Sequence, residues 1–297
     1  IDVEVLSFIL KKFKEKPQPV YVNVNNYKCE EAIINIFIES INYSYFSKAK
    51  YNIFIPNQQY FHKNQIEFLD CFDMIFAKSN YIYETFKNYV SENKLKYIGW
   101  RSPDISISAA HKSYNDYLVF YQDTNFYPLK AILELWEESF PNLNVVMQVN
   151  RKDLTLKEQD NITYYDNKDM DVEKFHTLFN KCGVHLCLSE IDSYSHLINQ
   201  CKLVKSIPIA VGGGPMRELM NRDWGYSIGG KKKKLKEGLG SRYVFNKEDF
   251  VDTVNKIKDL SEKSLESMGN NGRQDALKTH GMCDNLFKEH LSNVFKI

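Results

Sequence analysis

The stretch between residues 188 and 219, LSEIDSYSHLINQCKLVKSIPIAVGGGPMREL, constrains the fold of this chain more than any other. Its pattern predicts a strand end, a loop, a helix over residues 198–204, a buried strand over residues 207–211 and a new helix over residues 215–222. Carboxylate and small side chains lie where the loop turns into the first helix, and three glycines follow the buried strand. This order presents free backbone N–H groups twice at one edge of a parallel sheet, a place suited to phosphates.

The same alternation of strand and helix patterns begins near the amino terminus. Strands are predicted at residues 2–10, 19–24, 51–56, 74–77 and 95–99, and helices at residues 30–41, 65–72 and 80–89. Repeated β-α-β units favour a parallel sheet covered by helices. Residues 102–115, SPDISISAAHKSYN, interrupt the pattern with Pro, Ser and Asn and are the best candidate for a linker.

After this linker the alternation restarts and is more complete. Strands are predicted at residues 117–121, 144–149, 162–165 and 185–188, and helices at residues 129–139, 172–180, 250–260 and 274–295, the last interrupted near Gly281. The predicted fold class is α/β, with two Rossmann-like doubly wound domains facing across a cleft, at residues 1–112 and 113–297. In open α/β sheets, ligands bind at the strand ends that face such a cleft.

Composition and charge narrow the class of partner. Of the 297 residues, 43% are hydrophobic and 26% are charged, as in a folded globular protein rather than a disordered one. The 39 basic and 38 acidic residues are interspersed and give a net charge of +1, so no overall field attracts nucleic acid. No stretch approaches the roughly twenty apolar residues that span a bilayer. We therefore expect neither a nucleic-acid partner nor a transmembrane segment.

The cysteines bear on the compartment and on metal binding. All six are scattered, and the closest pair, Cys182 and Cys187, has no second pair that would complete a zinc site. Four of the six lie in apolar stretches, where a free cysteine behaves as a small hydrophobic residue. We expect a cytoplasmic, reducing setting and no bound metal.

Asp192 and Gln200 form the first pair of candidate ligand-binding residues. Asp192 lies in the predicted loop and Gln200 about two turns into the helix, so both can lean toward one cleft. A carboxylate and an amide there can hydrogen-bond sugar or ribose hydroxyls. The alternative interpretation is that Asp192 caps the helix, a role that Ser193 or Ser195 could also fill.

The glycine loop and one histidine are further candidates. Gly212, Gly213 and Gly214 precede Pro215, which suits a first helical position. Without side chains they allow the backbone to approach a ligand closely, although a tight turn with positive φ would also select glycine. His196, in the first turn of the preceding helix, could donate to a sugar hydroxyl or a phosphate, or be a packed or solvated side chain.

Basic residues after predicted strands, or in the glycine loop, could neutralise a diphosphate. They are Arg101, Arg151, Lys152 and Arg217. Each could equally be a surface charge. The lysine run at residues 231–234, joined by Lys236, predicts a solvated loop, with a position over an anionic ligand as the second interpretation.

These motifs resemble two-domain glycosyltransferases of the GT-B type, particularly glycosyltransferase family 4. Members of that family commonly carry E-G-F-G-H-x-I-N-E-A, a hydrophobic strand and a P-P-M-x-E-L loop. The matching segments here are DSYSHLINQC at residues 192–201 and GPMREL at residues 214–219, with the spacing kept. NIFIPN at residues 52–57 with Phe61, FAKS at residues 76–79 and YIGW at residues 97–100 extend the resemblance, which covers residues 50–295.

The resemblance implies the GT-B arrangement, with the acceptor side in the first domain, the donor side in the second, and the last helix packing back on the first domain. The two glutamates of the family appear here as Asp192 and Gln200, so Gln200 would hold the ribose, and Asp192 and His196 are the candidate catalytic residues. The donor-binding set that the resemblance implies comprises Tyr164 and Tyr165 against the base, and Ser193, Tyr194, Ser195 and His196 around the diphosphate.

One part of the family pattern is missing. The family places a basic pair in the loop after the first strand of the second domain, but here residues 122–127 read QDTNFY, without a cation. Because departure of a nucleoside diphosphate needs charge stabilisation, one of the four basic candidates would have to supply that charge.

The leading hypothesis is a retaining, metal-independent glycosyltransferase that moves a sugar from a nucleotide-diphosphate sugar to a glycan or glycoconjugate acceptor. The nucleotide sugar is then a co-substrate, and no cofactor is expected. One alternative is a nucleotide-sugar epimerase or phosphorylase on the same scaffold. Another is a catalytically weak or inactive module that binds nucleotide sugars or glycans, and the missing basic pair favours this one.

Overall fold

Two separate parallel β-sheets and one antiparallel hairpin form the framework of the protein. The structure, a computed structural model, describes residues 2–11, 32–108, 110–121, 128–147 and 154–295. Among these residues, no helix combines the length and the apolar character needed to cross a membrane. The α/β class and the parallel sheets predicted from the alternating pattern are confirmed.

The first sheet comes from the amino-terminal third of the chain. Its parallel strands lie in sequence order and are β1 (Ala32–Ile38), β2 (Ala49–Ile55), β3 (Met74–Ala77) and β4 (Leu95–Tyr97). Helix α1 (Asp2–Leu10) precedes this sheet, and α2 (Asn80–Phe86) and two 3₁₀ helices (Tyr43–Lys48 and Lys63–Cys71) connect its strands. Strand β2 is buried on both faces, with Ile53 and Ile55 in one apolar cluster and Phe54 in another, as expected for a covered parallel strand.

The second sheet has six parallel strands in the order β10-β9-β8-β5-β6-β7. They are β5 (Ser113–Phe120), β6 (Asn142–Met147), β7 (Ile162–Asp166), β8 (Cys182–Cys187), β9 (Ile207–Val211) and β10 (Tyr226–Ile228). The helices of this part are α3 (Leu129–Leu135), α4 (Val172–Lys181), α5 (His196–Leu203), α6 (Gly214–Glu218), α7 (Lys247–Lys258) and α8 (Glu262–Phe295). Between β10 and α7, strands β11 (Gly230–Lys234) and β12 (Ser241–Phe245) form the antiparallel hairpin.

Two predictions in the amino-terminal part are wrong in type. Residues 2–10, predicted as a strand, form helix α1, which buries Val5, Leu6 and Ile9 on one face. Residues 30–41, predicted as a helix, contain strand β1, which pairs in parallel with β2. Short apolar runs fit either period, and here the available partner surface decided between them. The strand predicted at residues 19–24 lies outside the described residues.

Two predictions in the carboxyl-terminal part also need correction. The lysine run is strand β11 rather than a loop. Helix α8 continues through Gly281 without the predicted interruption, and a methyl group at Gly281 would meet nothing within 4 Å. An exposed glycine therefore weakens this helix without breaking it.

Helix α8 contacts both parts of the molecule. It packs along α5 and β9 of the second sheet. Near its carboxyl end, Cys283, Phe287 and Leu291 join an apolar cluster that includes Ile55 and Phe76 of the first sheet. Burying one such aromatic or leucine side chain contributes roughly 1.5–3 kcal/mol, so this cluster ties the end of the chain firmly to the first sheet.

Candidate functional site

The strand order of the second sheet contains a reversal that marks a ligand crevice. From the central strand β5 the chain runs outward through β6 and β7, then returns to β8 on the other side of β5. In open α/β sheets the crevice beyond the carboxyl ends of such neighbouring strands is the usual binding place. The loop that leaves β8 and the glycine loop that leaves β9 are described, whereas residues 122–127 after β5 are outside the described residues.

In the loop after β8, an aspartate side chain accepts hydrogen bonds from the backbone of the loop itself. The Asp192 carboxylate accepts hydrogen bonds from the N–H groups of Ser193 at 2.8 Å and Tyr194 at 3.3 Å. The cap of helix α5 is Ser195, whose hydroxyl accepts from the N–H of Ile198 at 3.5 Å. Of the three candidate caps, Ser195 takes this position, and the N–H groups of Ser193 and Tyr194 already have an acceptor.

The same loop docks against the first sheet. Ser79 Oγ donates to the carbonyl of Ser193 at 3.1 Å, and the Ser193 hydroxyl donates to the side chain of Asn57. The Tyr194 hydroxyl donates to the carbonyl of Trp100 at 2.8 Å. The predicted donor-binding positions Ser193, Tyr194 and Ser195 are therefore buried beside the first sheet. His196 follows them as the first residue of α5.

His196 is held by two partners from the amino-terminal part. Its Nε2 lies 2.8 Å from Asp2 Oδ1, and its Nδ1 lies 2.9 Å from Ser102 Oγ. Because a carboxylate only accepts, Nε2 donates to Asp2. Asp2 also accepts from Trp100 Nε1 at 2.7 Å and from Lys78 Nζ at 2.8 Å. The histidine is therefore part of a partly buried polar network.

Electrostatics in this network favours a charged Asp2. Burial by itself would raise the pKa of Asp2, but the hydrogen bond from His196 and the charge of Lys78 outweigh it and hold the pKa far below its ordinary value. Lys78 is only 2% exposed, so Asp2 is the partner that makes its burial tolerable. Burial instead raises the pKa values of Asp192 and Glu39, which lie near Lys78 but form no ion pair with it.

The glycine loop borders a cavity of about 440 Å³. Its walls are formed by Tyr81, Gly212, Gly213, Gly214, Arg217, Glu218 and Tyr243. A methyl group added at Gly213 would lie 2.1 Å from the ring of Tyr243. The missing side chain at Gly213 therefore makes room for the Tyr243 ring of strand β12. Gly214 has a φ of +54°, a conformation that favours glycine.

The two charged residues of this cavity have different surroundings. The Glu218 carboxylate accepts from the backbone N–H groups of Asn80 at 2.8 Å and Tyr81 at 2.6 Å, and so caps helix α2 of the first sheet. Arg217 is exposed and makes no hydrogen bond or ion pair with the described residues. Its guanidinium is available to an anion in the cavity.

Arg101, the other basic candidate that the structure describes, does not line this cavity. The Arg101 guanidinium pairs with Asp284 of α8 at 2.8 Å and lies over the ring of Phe8 at 4.1 Å. It thus ties α1 and α8 together instead of facing the glycine loop. Arg151 and Lys152 lie outside the described residues.

Tyr164 and Tyr165 lie on β7, where successive side chains point to opposite faces. The hydroxyl of Tyr164 donates to the carbonyl of Lys157 at 2.9 Å, and that of Tyr165 donates to Asn144 Oδ1 at 3.1 Å. The two rings therefore cannot lie side by side against one base. Gln200 is partly buried, and its amide makes no hydrogen bond within the described residues, so it can still bind a ligand.

Several residues of this region were not singled out from the sequence. Lys78 and Glu218 lie within the two motifs that carry the family resemblance, so a closer examination of those motifs could have found them. Asp2 and Tyr243 lie far from the motifs along the chain, and Tyr81 lies just outside FAKS at residues 76–79. Only tertiary packing brings these three residues to the site, and no local pattern signals them.

Comparisons with known proteins support the fold. No protein-family model matches the chain, and no curated protein matches its sequence. Among solved structures, HepE (Alr3699) of Anabaena in complex with UDP and glucose is similar with a TM-score of 0.61 and 11% identity, over 84% of this chain and 74% of that one. A glycosyltransferase from Rickettsia africae ESF-5 gives a TM-score of 0.63 and 13% identity, over 88% and 77%.

The pneumococcal O-GlcNAc transferase GtfA, in complex with UDP and GlcNAc, gives a TM-score of 0.62 at 12% identity and covers 88% of this chain but 56% of that one. At these identities the similarity establishes the fold alone. The chain therefore has the fold of GT-B glycosyltransferases, as the resemblance implied. Membership of family 4 and the role of the Asp192–Gln200 pair stay predictions.

Proposed function

We propose that the chain is a glycosyltransferase that moves a sugar from a nucleotide-diphosphate sugar to a glycan or glycoconjugate acceptor. Two Rossmann-like domains, residues 1–112 and 113–297, would face each other across the cleft. The fold shared with HepE and GtfA, both solved with UDP, supports a nucleotide-sugar donor.

The observation that carries this proposal is the exposed Arg217 beside the glycine loop. The loop follows β9 at the carboxyl edge of the second sheet, and the cavity there has room for a diphosphate. The family's basic pair is missing at residues 122–127. Arg217 would then supply the charge that stabilises the departing nucleoside diphosphate.

Under this proposal the protein acts mainly by positioning and by electrostatics. The free amide of Gln200 would hold the ribose. Tyr243 would have to leave the glycine loop before a diphosphate could approach Gly213. Retention of anomeric configuration and independence of metal ions follow from the family resemblance and belong to the proposal. So does a cytoplasmic location, in which free cysteines such as the buried Cys187 and Cys201 stay reduced.

A second candidate function is a module that binds nucleotide sugars or glycans without turnover. The observation that favours it is that both catalytic candidates already form hydrogen bonds with other groups of the protein. His196 is held by Asp2 and Ser102, and the Asp192 carboxylate is held by backbone N–H groups of its own loop. A nucleotide-sugar epimerase on the same scaffold would need the same donor site.

Binding of UDP, GDP and dTDP, measured by calorimetry, tests the donor site. We expect one of these nucleotides to bind, and Arg217→Gln to weaken that binding by about tenfold, the effect of losing one charge-assisted hydrogen bond. The matched control is Arg222→Gln, an exposed arginine nearby that does not line the cavity, which should leave affinity unchanged. Gln200→Ala should also weaken binding.

Turnover separates the candidate functions. With the nucleotide sugar that binds, release of the nucleotide in the presence of an acceptor supports the glycosyltransferase. Binding without release supports the module, and inversion of a sugar centre without transfer supports the epimerase. If no nucleotide binds at millimolar concentration, the donor site at the glycine loop is refuted.

A further inference from the structure

A second cavity lies beside the glycine loop, on the far side of Tyr81. It has a volume of about 240 Å³ and lies between helix α2 and the hairpin of β11 and β12. Tyr81 lines both cavities, so they are neighbouring parts of one cleft. Besides Tyr81, its walls include the side chains of Thr85, Asn88, Tyr89, Lys232 and Ser241. Glu84 also lines it, and the carboxylate of this residue forms an ion pair with Lys87.

The hairpin concentrates positive charge at this cavity. Five of the 39 basic residues lie within six positions, residues 231–236, although the whole chain has a net charge of only +1. Lys231, Lys232, Lys233 and Lys234 are all exposed, and none forms an ion pair within the described residues.

Strand pairing divides these lysines between two faces. Lys232 pairs with Tyr243 and Lys234 with Ser241, and residues directly opposite each other on paired strands point the same way. Tyr243 covers the glycine loop and Ser241 lines the second cavity. The face of Lys232 and Lys234 is therefore the face that looks into the cleft, and Lys231 and Lys233 point away from it.

The opposite wall carries groups that suit a sugar. The side chain of Tyr89 is 42% exposed and offers an aromatic surface, while Thr85 and Asn88 offer hydroxyl and amide groups. A cavity with an aromatic surface, a few polar groups and an ammonium group matches a sugar ring that carries a negative charge.

We propose that this second cavity binds an anionic glycan, a chain of sugars that bear carboxylate or phosphate groups. Lys232 and Lys234 face its charges, and Tyr89 packs against one of its rings. The assignment rests on the proposed function only in making this glycan the acceptor, because the cavity adjoins the glycine loop where the donor would lie.

Another physical role exists for the lysines, since charges on an edge strand prevent its pairing with other chains. That role needs charge on β11 but does not depend on which face carries it. The two faces of the strand therefore provide a matched comparison: each double variant, Lys232→Gln with Lys234→Gln or Lys231→Gln with Lys233→Gln, removes the same charge.

Calorimetric titration with oligogalacturonate, an acidic glycan, and with the neutral maltohexaose tests the proposal. We expect oligogalacturonate to bind more tightly than maltohexaose. The Lys232 and Lys234 double variant should lose about tenfold in affinity and the Lys231 and Lys233 variant less than about twofold. Tyr89→Ala should weaken the binding of oligogalacturonate. It should not change the binding of inorganic polyphosphate, which has charge without sugar rings.

Equal losses of affinity in the two double variants would mean that the glycan is attracted to the charge of the whole hairpin, and would overturn the proposal. Binding of polyphosphate that depends on Tyr89 would also overturn it. Absence of oligogalacturonate binding would overturn it as well. UDP binding is measured in the same variants and should be unchanged. If the glycan does not bind while UDP does, only the glycan site is refuted. If UDP does not bind to the unmodified chain, the proposed donor site is refuted.

Discussion

His196 Nε2 lies 2.8 Å from Asp2 Oδ1, although 194 residues separate the two along the chain. The histidine that the sequence marked as a catalytic candidate thus depends on the first helix of the structure. Through Asp2 it is also linked to Lys78 and Trp100, which follow strands β3 and β4 of the first sheet. Any role of His196 in chemistry would require Asp2 to orient its ring.

Removing Asp2 should destabilise the fold, because the buried Lys78 would lose its ion-pair partner. We expect Asp2→Ala to lower the free energy of unfolding by about 3 kcal/mol, the cost of breaking a buried ion pair from one side. Urea unfolding measures this. The control Glu4→Gln, on the exposed side of α1, should change stability by less than about 0.5 kcal/mol.

The same network predicts that Lys78→Met combined with Asp2→Ala costs less than the sum of the two single changes. The double variant leaves no unpaired charge in the buried network, while Lys78→Met alone leaves Asp2 with its other two donors. Additive costs would show that Asp2 and Lys78 do not stabilise each other.

Gly213 and Tyr243 should be coupled by steric contact. The φ of Gly213 is −174°, an extended conformation that alanine can adopt, so only the Tyr243 ring opposes a methyl group. Gly213→Ala should therefore cost about 1–3 kcal/mol in the unmodified chain and much less when combined with Tyr243→Ala. A double-mutant cycle in urea gives the coupling, and a coupling near zero would contradict the placement of the ring.

Tyr243→Ala should also change nucleotide binding. If the glycine loop holds the diphosphate, removing the ring that covers it should increase UDP affinity by at least about threefold, since no free energy is then needed to displace the ring. Calorimetry checks this against Tyr89→Ala, a tyrosine that does not line the glycine-loop cavity. Unchanged affinity in Tyr243→Ala would show that UDP does not approach Gly213.

Arg101 should matter for stability and not for the nucleotide. Arg101→Gln removes the ion pair with Asp284, in which both side chains are largely buried, and should lower stability by about 1–3 kcal/mol. UDP affinity of the folded variant should equal that of the unmodified chain. A large loss of affinity at unchanged stability would instead return Arg101 to the donor site.

Two buried histidines should make the protein less stable in mild acid. Burial lowers the pKa of His185 from 6.5 to about 3 and that of His280 to about 4. His185 Nε2 faces the carbonyl groups of Phe179 and Cys182 at 3.1 Å, and its Nδ1 has no partner within the described residues, so a second proton is disfavoured.

The direction in which stability changes with pH follows from proton uptake by the unfolded chain. Below pH 6.5 the unfolded chain binds a proton at each of these histidines and the folded chain does not, so their contribution is complete above pH 6.5 and declines as pH falls toward the folded pKa values. The slope is up to roughly 1.4 kcal/mol per pH unit for each histidine. Urea unfolding of His185→Gln should show a shallower decline than the unmodified chain, and identical slopes would refute the assignment.

Strong local patterns predicted strands in both sheets. The strands at residues 74–77 and 207–211 have the predicted bounds, because a run of buried β-branched or aromatic residues between turn signals fits little else. The predictions for α1 and β1 failed because their apolar runs are short. For such segments the partner surface, which local sequence does not contain, selects helix or strand.

For the candidate site too, the local sequence predicted some features and tertiary packing decided others. The motif and its spacing predict a site within residues 188–219, and the glycine loop and Arg217 of that segment line one cavity. That a ligand binds there stays a prediction. The environment of each residue did not follow. The sequence could not show that Asp2 binds His196, that Arg101 pairs with Asp284, or that Tyr243 covers Gly213.

By itself, the sequence determined the α/β class and most strands and helices, since these depend on periodicity, turn residues and spacing over short stretches. It also predicted the segment where a ligand would bind. Only the tertiary structure decided which of those residues are free and which are held. Hydrogen bonds, ion pairs and ring contacts join residues up to 194 positions apart, and their partners are fixed by how the two sheets and α8 pack.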